Sequence, residues 1–244
     1  MYYLAIFIPA AMDSAAKFVY NSSRKEPTNM INTVLFDFDG TIMDTNDVII
    51  QSWQTTFRAL EGREEDVDTL LRTFGEPLEK TMRDFFPSHP LEQALEIYRG
   101  YQRDNFLSDI HLFPGIRELL EELSGRQIRM ALVTSRLKST TMQALDAFDL
   151  RKYFRFVVTA DDVTRHKPDP QSIEIALDHL GSKPEDTIMV GDSPFDIHCA
   201  RNAGVKPVLV SWSVTLAKQL QEGLPPEQTP DAIIDDPMQL LQLM

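Results

Sequence analysis

Residues 33–41 read TVLFDFDGT, and they give the clearest indication of the fold. Its first part, residues 33–38, is a short apolar run typical of a buried strand in a parallel sheet. Asp37 and Asp39 stand where this strand ends, and residues two apart on an extended chain point to the same side. Gly40 then permits a sharp turn. The stretch therefore predicts a strand that delivers two carboxylates to one edge of a sheet.

The rest of the chain alternates short apolar runs with amphipathic segments. Further strands are predicted at residues 128–134, 156–159, 187–191, 205–210 and 232–234, and helices at residues 115–123, 139–148, 170–180, 194–203 and 214–221. Strands and helices that alternate in this way are typical of βαβ units. We therefore predict an α/β protein with a doubly wound parallel sheet.

One region interrupts the alternation, because only helical patterns occur between residues 46 and 112. These patterns cover residues 47–60, 64–72, 78–85 and 91–106. The LFPG segment that follows contains Pro and Gly, which end one element before the next begins, and it indicates a hinge. We therefore expect an inserted helical cap and a divided core, with these boundaries: core, residues 31–45 and 113–244; cap, residues 46–112.

Composition narrows the classes of partner. The 244 residues include 24 Lys and Arg against 37 Asp and Glu, which gives a formal net charge of −13. The electrostatic field of this negative charge repels nucleic acid and anionic membranes. In addition, no apolar run approaches the roughly 18 residues of a membrane-spanning helix. We expect a small-molecule substrate and no nucleic-acid or membrane partner, and an anionic substrate would need a local cation or metal.

The N-terminal segment, residues 1–30, precedes the predicted core. Its apolar stretch is interrupted by Pro9, and the first basic residue is Lys17, whereas a secretory signal begins with basic residues. The single cysteine, Cys199, excludes an internal disulfide framework and indicates a reducing compartment. We expect a poorly ordered extension on a cytoplasmic protein, and the sequence leaves the oligomeric state open.

Polar side chains follow four of the predicted strands. In parallel sheets, ligands bind beyond the carboxyl ends of the strands. Each of these side chains alone has a plain structural interpretation, as a helix cap or a solvated group. Their coincidence at four strand ends indicates one site, formed by Asp37, Asp39, Thr134, Ser135, Lys167, Asp192 and Asp196.

Four motifs give a resemblance to a known family. They occur in the order of the haloacid dehalogenase (HAD) superfamily, in its branch with a helical cap after the first strand: DFDGT at 37–41, VTS at 133–135, KPDP at 167–170 and GDSPFD at 191–196. The resemblance covers residues 31–244. Within the superfamily the chain is most similar to the PpaX-type inorganic pyrophosphatases and the phosphoglycolate phosphatases. FGEPL at 74–78 and DDVTRHKPDP at 161–170 favour the first group.

This resemblance implies a catalytic role for residues at the first three strand ends. Asp37 would be the nucleophile that forms an aspartyl-phosphate, which splits one difficult step into two easier ones. Asp39 would protonate the leaving oxygen and then deprotonate the attacking water. Thr134, Ser135 and Lys167 would bind the oxygens of the transferring phosphoryl group.

The resemblance also implies a Mg²⁺ ion. Asp37, the backbone carbonyl of Asp39, and Asp192 would hold the metal, and Asp196 would support the site by orienting Lys167 or a metal-bound water. A phosphate dianion beside two carboxylates brings about four negative charges together, which Lys167 alone does not offset. Mg²⁺ is therefore expected to be required.

The function predicted on this basis is a Mg²⁺-dependent phosphohydrolase that acts on a small phosphorylated metabolite, with pyrophosphate or phosphoglycolate favoured. The superfamily's dehalogenases and phosphonate-cleaving members lack an equivalent of Asp39, so this residue favours hydrolysis of a phosphate ester or anhydride. The alternatives are a phosphomutase of the β-phosphoglucomutase type and a catalytically idle HAD-like binding protein.

Substrate selectivity is expected to come from the cap. The loop that contains Gly75, Glu76 and Pro77 is the best candidate. Several basic residues of the cap are also able to contact an anionic leaving group, and nothing in the sequence ranks them: Arg72, Lys80, Arg83, Arg99 and Arg103.

Overall fold

The computed structural model describes residues 30–74, 76–213 and 225–244. In these residues, six parallel strands form a central sheet. In chain order the strands are β1 (Thr33–Phe36), β2 (Met43–Asp44), β3 (His111–Leu112), β4 (Arg129–Val133), β5 (Phe156–Val158), β6 (Thr187–Gly191), β7 (Lys206–Val210) and β8 (Ala232–Ile234). The sheet has the order β5-β4-β1-β6-β7-β8, whereas β2 and β3 form a separate antiparallel pair. Every neighbouring pair in the central sheet is parallel.

Helices cover both faces of this sheet. Four of them connect its strands: α5 (Ile116–Gly125), α6 (Lys138–Ala147), α7 (Gln171–Leu180) and α8 (Pro194–Asn202). Side chains alternate along β1, so Val34 and Phe36 pack with α5 and α6, and Leu35 packs with α7 and α8 on the other face. This arrangement confirms the predicted doubly wound α/β fold.

The strand order places a crevice at one edge of the sheet. Chain connections run in one direction from β1 through β4 to β5 and in the other from β6 through β7 to β8. The order therefore reverses between β1 and β6, and open α/β sheets bind ligands beyond the carboxyl ends of strands at such a point. The segments that follow β1 and β6 contain Asp37, Asp39 and Asp192.

Four further helices, which we call the helical layer, lie between β2 and β3 in the chain. They are α1 (Asn46–Glu61), α2 (Val67–Leu71), α3 (Leu78–Phe85) and α4 (Leu91–Asn105). The layer has its own hydrophobic cluster, in which Trp53 and Phe57 of α1 pack against Met82, Phe86 and Tyr98. The chain enters and leaves the layer through the paired strands β2 and β3.

The elements agree with the sequence-based boundaries to within a few residues. Helix α2 begins at Val67 rather than residue 64, because the Asp66 side chain caps it by accepting a hydrogen bond of 3.0 Å from the Thr69 N–H. The pair β2–β3 was not predicted. The expected helix at residues 214–221 and the extension at residues 1–30 lie outside the described residues.

Candidate active site

A cavity of about 630 Å³ lies between the carboxyl edge of the sheet and the helical layer. The structure brings every strand-end residue predicted from the sequence to this cavity: Asp37, Asp39, Thr134, Ser135, Lys167, Asp192 and Asp196. Residues of the helical layer complete its walls. The volume is in the usual range for a pocket that encloses a small molecule.

Lys167 joins two carboxylates at the base of the cavity. Its Nζ donates hydrogen bonds to Oδ1 of Asp37 at 2.8 Å, to Oδ1 of Asp196 at 2.6 Å and to the backbone carbonyl of Val133 at 2.8 Å. Lys167 is 6% exposed, and these three hydrogen bonds use all three protons of its ammonium. A buried cation is thereby fixed beside the Asp37 carboxylate.

The charges in this cluster act on one another. Burial raises the pKa of Asp37 well above its usual value, the Lys167 ammonium opposes that rise, and the carboxylates of Asp196, Asp192 and Asp39 add to it. Burial alone would lower the pKa of Lys167, but Asp196 and Asp37 outweigh burial and raise it. Lys167 is therefore a permanent cation in the site.

Asp196 is locked by the start of helix α8. Its Oδ2 accepts hydrogen bonds from the Ser193 N–H at 3.1 Å and from the Ser193 hydroxyl at 2.6 Å, which completes a capping box. A Cβ on Gly191 would lie 2.4 Å from the Asp196 Cβ, so glycine is required there. Because its other oxygen binds Lys167, Asp196 holds that ammonium in place.

Asp192 lies against the backbone of the turn after β1. Its Oδ2 accepts a hydrogen bond of 2.6 Å from the Ser213 hydroxyl. A Cβ on Gly40 would come within 2.1 Å of the same oxygen, and Gly40 has a φ of +72°. Glycine is therefore needed at position 40 both for the turn and for the close approach of the carboxylate.

The acidic cluster has the chemistry of a site for a hard divalent cation. Oxygens of Asp37, Asp192 and Asp196 lie within 4.8 Å of one another. Three carboxylates against the single charge of Lys167 leave two negative charges, and carboxylate oxygens are the preferred ligands of Mg²⁺. Both oxygens of Asp196 are engaged by protein donors, so Asp37 and Asp192 are the better candidates for direct contact with a metal.

Asp39 is held by an arginine that the sequence analysis did not single out. Arg136 donates from Nε to both carboxylate oxygens of Asp39 at 3.1 and 3.0 Å and from Nη2 to Oδ1 at 2.7 Å. The guanidinium is 4.5 Å from the ring centroid of Phe106, and Arg136 is 9% exposed. Arg136 therefore orients the Asp39 carboxylate at the edge of the cavity.

A family model for haloacid dehalogenase-like hydrolases matches residues 34–210. The chain belongs to this family. It is 34% identical over 184 residues to pyrophosphatase PpaX of Halalkalibacterium halodurans, which covers 75% of this chain and 85% of that protein. The family and the prediction of an enzyme are thereby confirmed.

Solved structures of the family share the fold. A haloacid dehalogenase-like hydrolase from Streptococcus pneumoniae is 27% identical, with a TM-score of 0.75 over 87% of this chain and 98% of that one. A predicted phosphoglycolate phosphatase from Haemophilus somnus has a TM-score of 0.78 over 89% of this chain and 99% of that one. At 19% identity, the second likeness concerns the fold alone.

Two neighbouring hydroxyls, those of Thr134 and Ser135, belong to residues that line the cavity. The Thr134 hydroxyl accepts a hydrogen bond of 3.1 Å from the Arg136 N–H, which leaves its own proton to be donated. Ser135 is exposed and lines the cavity. Both residues follow β4, where the chain turns along the rim of the cavity.

The predicted selectivity loop lies partly on the cavity wall. Glu76 and Pro77 line the cavity, whereas Gly75 lies outside the described residues. The Glu76 carboxylate accepts hydrogen bonds from Lys80 at 2.9 Å and from the Thr81 hydroxyl at 3.3 Å.

In the described part of this chain, no helix is both long enough and apolar enough to cross a membrane.

Proposed function

We propose that the protein is a Mg²⁺-dependent phosphatase that forms an aspartyl-phosphate on Asp37. The observation that carries this proposal is the position of Asp37, a carboxylate at the end of β1 that lines the cavity and is bound by Lys167 at 2.8 Å. A fixed cation beside a carboxylate nucleophile offsets the charge of an incoming phosphate group. Family membership supports the same chemistry.

In the first step an Asp37 oxygen attacks phosphorus, and the bond from phosphorus to the leaving oxygen breaks. Asp39 donates a proton to that oxygen as its electrons depart. In the second step Asp39 accepts a proton from water, whose oxygen attacks the phosphorus of the aspartyl-phosphate. Inorganic phosphate is released and the Asp37 carboxylate is restored.

Positive charge and hydroxyl donors stabilise the transferring group. Lys167, whose three protons are engaged within the protein, would bind its oxygens through its positive charge. The Thr134 hydroxyl would donate to them, together with the backbone and side chain of Ser135. Mg²⁺, held by Asp37, the backbone carbonyl of Asp39, and Asp192, would offset the remaining negative charge when bound. Asp196 acts through its 2.6 Å contact with Lys167, which it keeps oriented toward Asp37.

We further propose that residues 46–112 act as a cap over a core formed by residues 31–45 and 113–244. The cap would exclude bulk water and admit a compact substrate, because the cavity is enclosed by both parts. Pyrophosphate is favoured over phosphoglycolate by the FGEPL loop at 74–78 and by the identity shared with pyrophosphatase PpaX.

A substrate panel tests this function. Purified protein should release inorganic phosphate from pyrophosphate and from 2-phosphoglycolate in the presence of Mg²⁺, with the higher kcat/KM for pyrophosphate. Failure to hydrolyse any small phosphate ester or anhydride would favour a binding protein. Transfer of phosphate between the hydroxyls of a sugar bisphosphate, without release of phosphate, would favour a mutase.

Arg136 supplies a second prediction, because its fork of hydrogen bonds orients Asp39. We expect Arg136→Lys to lower kcat by at least about tenfold with little change in KM, since general acid–base catalysis contributes about 10²- to 10⁴-fold. Lysine keeps the charge but loses the bidentate geometry. Steady-state kinetics on the preferred substrate measures both parameters.

The Asp39→Asn background is the control for this role. If Arg136 acts through Asp39, the Arg136→Lys change should lower kcat by less than about twofold once Asp39 is asparagine. Full additivity of the two losses would show that Arg136 acts independently of Asp39. Melting curves of each variant identify losses that come from unfolding.

A further inference from the structure

The cationic side chains around the cavity differ in what they bind. Within the described residues, three of the lysines and arginines that line it have a carboxylate partner: Lys167 pairs with Asp37, Arg136 with Asp39 and Arg103 with Glu96. Arg99, on helix α4, lines the same cavity and forms no ion pair with any described residue.

Arg99 also holds a buried donor that is unused. Its Nε is shielded from solvent and has no hydrogen-bond partner among the described residues. Buried polar atoms without a partner are rare in native proteins, because each costs about 1–3 kcal/mol and more when the group is charged. Because the Arg99 side chain lines the cavity and has no ion-pair partner among the described residues, its guanidinium is available to a ligand there.

A second unused donor belongs to Thr45, which lines the same cavity. Thr45 precedes helix α1 but does not cap it with its side chain, and its buried hydroxyl has no partner among the described residues. A guanidinium and a hydroxyl together suit the oxygens of a carboxylate or a phosphate. With a net charge of −13, the protein also needs a local cation to attract an anion.

We infer that Arg99, assisted by the Thr45 hydroxyl, binds a second anionic group of the substrate, on the part that is not transferred. The substrate class is then a small phosphorylated compound with a further carboxylate or phosphate, and a neutral leaving group is selected against. This inference rests on the proposed phosphatase function. It also ranks the basic residues that were equivalent in sequence, since Arg103 and Lys80 are exposed and already paired.

A matched pair of substrates tests the inference. 2-Phosphoglycolate and 2-hydroxyethyl phosphate have similar size, but the first ends in a carboxylate and the second in a hydroxymethyl group. Pyrophosphate has a second phosphate in place of the carboxylate. We expect Arg99→Met to lower kcat/KM for 2-phosphoglycolate and pyrophosphate, the two substrates with a second anionic group, by about 10- to 150-fold, the value of a charged hydrogen bond. Turnover of 2-hydroxyethyl phosphate should change by less than about threefold. For the substrates with a second anionic group, the kcat/KM of Arg99→Lys should lie between those of the wild-type protein and Arg99→Met.

Arg103→Met is the matched control, because Arg103 lies one turn further along α4 and its guanidinium pairs with Glu96 at 2.6 Å. It should leave the preference between the substrates unchanged. Arg99→Met should melt no lower than the wild-type protein, since Arg99 forms no ion pair with a described residue and its shielded Nε has no hydrogen-bond partner among them. An equal loss on both ester substrates, no loss on either, or the same loss from Arg103→Met would overturn the role of Arg99.

Binding separates this inference from the proposed function. If the wild-type protein hydrolyses none of these compounds, the phosphatase proposal fails. Calorimetric titration with 2-phosphoglycolate then still tests whether Arg99 binds the anionic group. Weaker binding by Arg99→Met, by at least about tenfold, supports the anion site. Binding that is undetectable in the wild type or unchanged in the variant overturns it. If phosphate is released from 2-hydroxyethyl phosphate as fast as from 2-phosphoglycolate, the phosphatase proposal stands and the Arg99 inference fails.

Discussion

Replacing Asp37 with asparagine should lower kcat by at least about 1000-fold, because the amide does not act as a nucleophile and no aspartyl-phosphate forms. The fold should survive. The amide oxygen still accepts a hydrogen bond from Lys167, which keeps its 2.6 Å contact with Asp196. Phosphate release under saturating substrate measures the loss.

Stability gives this prediction its control. Burial raises the pKa of Asp37, so its ionised form is disfavoured in the folded protein. Asp37→Asn also removes one of the two carboxylate partners of buried Lys167, and Asp196 remains as the other at 2.6 Å. In metal-free buffer we therefore expect the variant to stay folded and to melt in a cooperative transition. Asp149→Asn, at a carboxylate that is 74% exposed and pairs with the exposed Lys152, should leave activity unchanged. Retention of more than about a hundredth of the wild-type kcat by Asp37→Asn would contradict the covalent mechanism.

Removing Mg²⁺ should abolish turnover, and restoring it should recover the full rate. The acidic cluster has two negative charges in excess once Lys167 is counted, and an incoming phosphate group adds more. Ca²⁺ should substitute poorly, because it prefers more ligands and a looser geometry. Phosphate release is measured after EDTA treatment and again after each cation is added.

A variant of Asp192 separates a metal site from a general need for salt. Asp192→Asn should raise the Mg²⁺ concentration for half-maximal rate by at least about tenfold. Asp149→Asn, which removes the same charge from a remote surface position, should leave that concentration unchanged. Full activity in EDTA would contradict the charge balance on which the proposed reaction depends.

Much of the fold can be predicted from the sequence, because the central strands are continuous apolar runs bounded by turn residues. Strands β6 and β8 have the predicted limits for this reason. The pair β2–β3 escaped prediction, because each strand has two residues and shows no periodicity. Its pairing joins Met43 to Leu112, far apart in the chain, and only the packed structure determines it.

Some residues of the candidate site were also predictable from the sequence, and others were not. Residues at strand ends were predictable, because the carboxyl ends of parallel strands meet at one edge of the sheet. Arg136 was missed because an arginine after a strand looks like a solvated side chain, and its partner Asp39 lies 97 positions away. Arg99 was one of several similar cations on helical patterns, and only its place in the cavity wall and its shielded Nε without a partner distinguish it.

The paired strands β2 and β3 mean that the chain leaves the sheet and returns to it at adjacent points. Partners in an antiparallel pair lie about 5 Å apart, so whatever is inserted between them need not span any fixed length. A different set of helices, or a longer one, is accommodated there without stretching a sheet connection. The helical layer that lines the cavity is thus an exchangeable part, and we expect one continuous replacement to alter which compounds the cavity accepts while the acidic cluster stays unchanged.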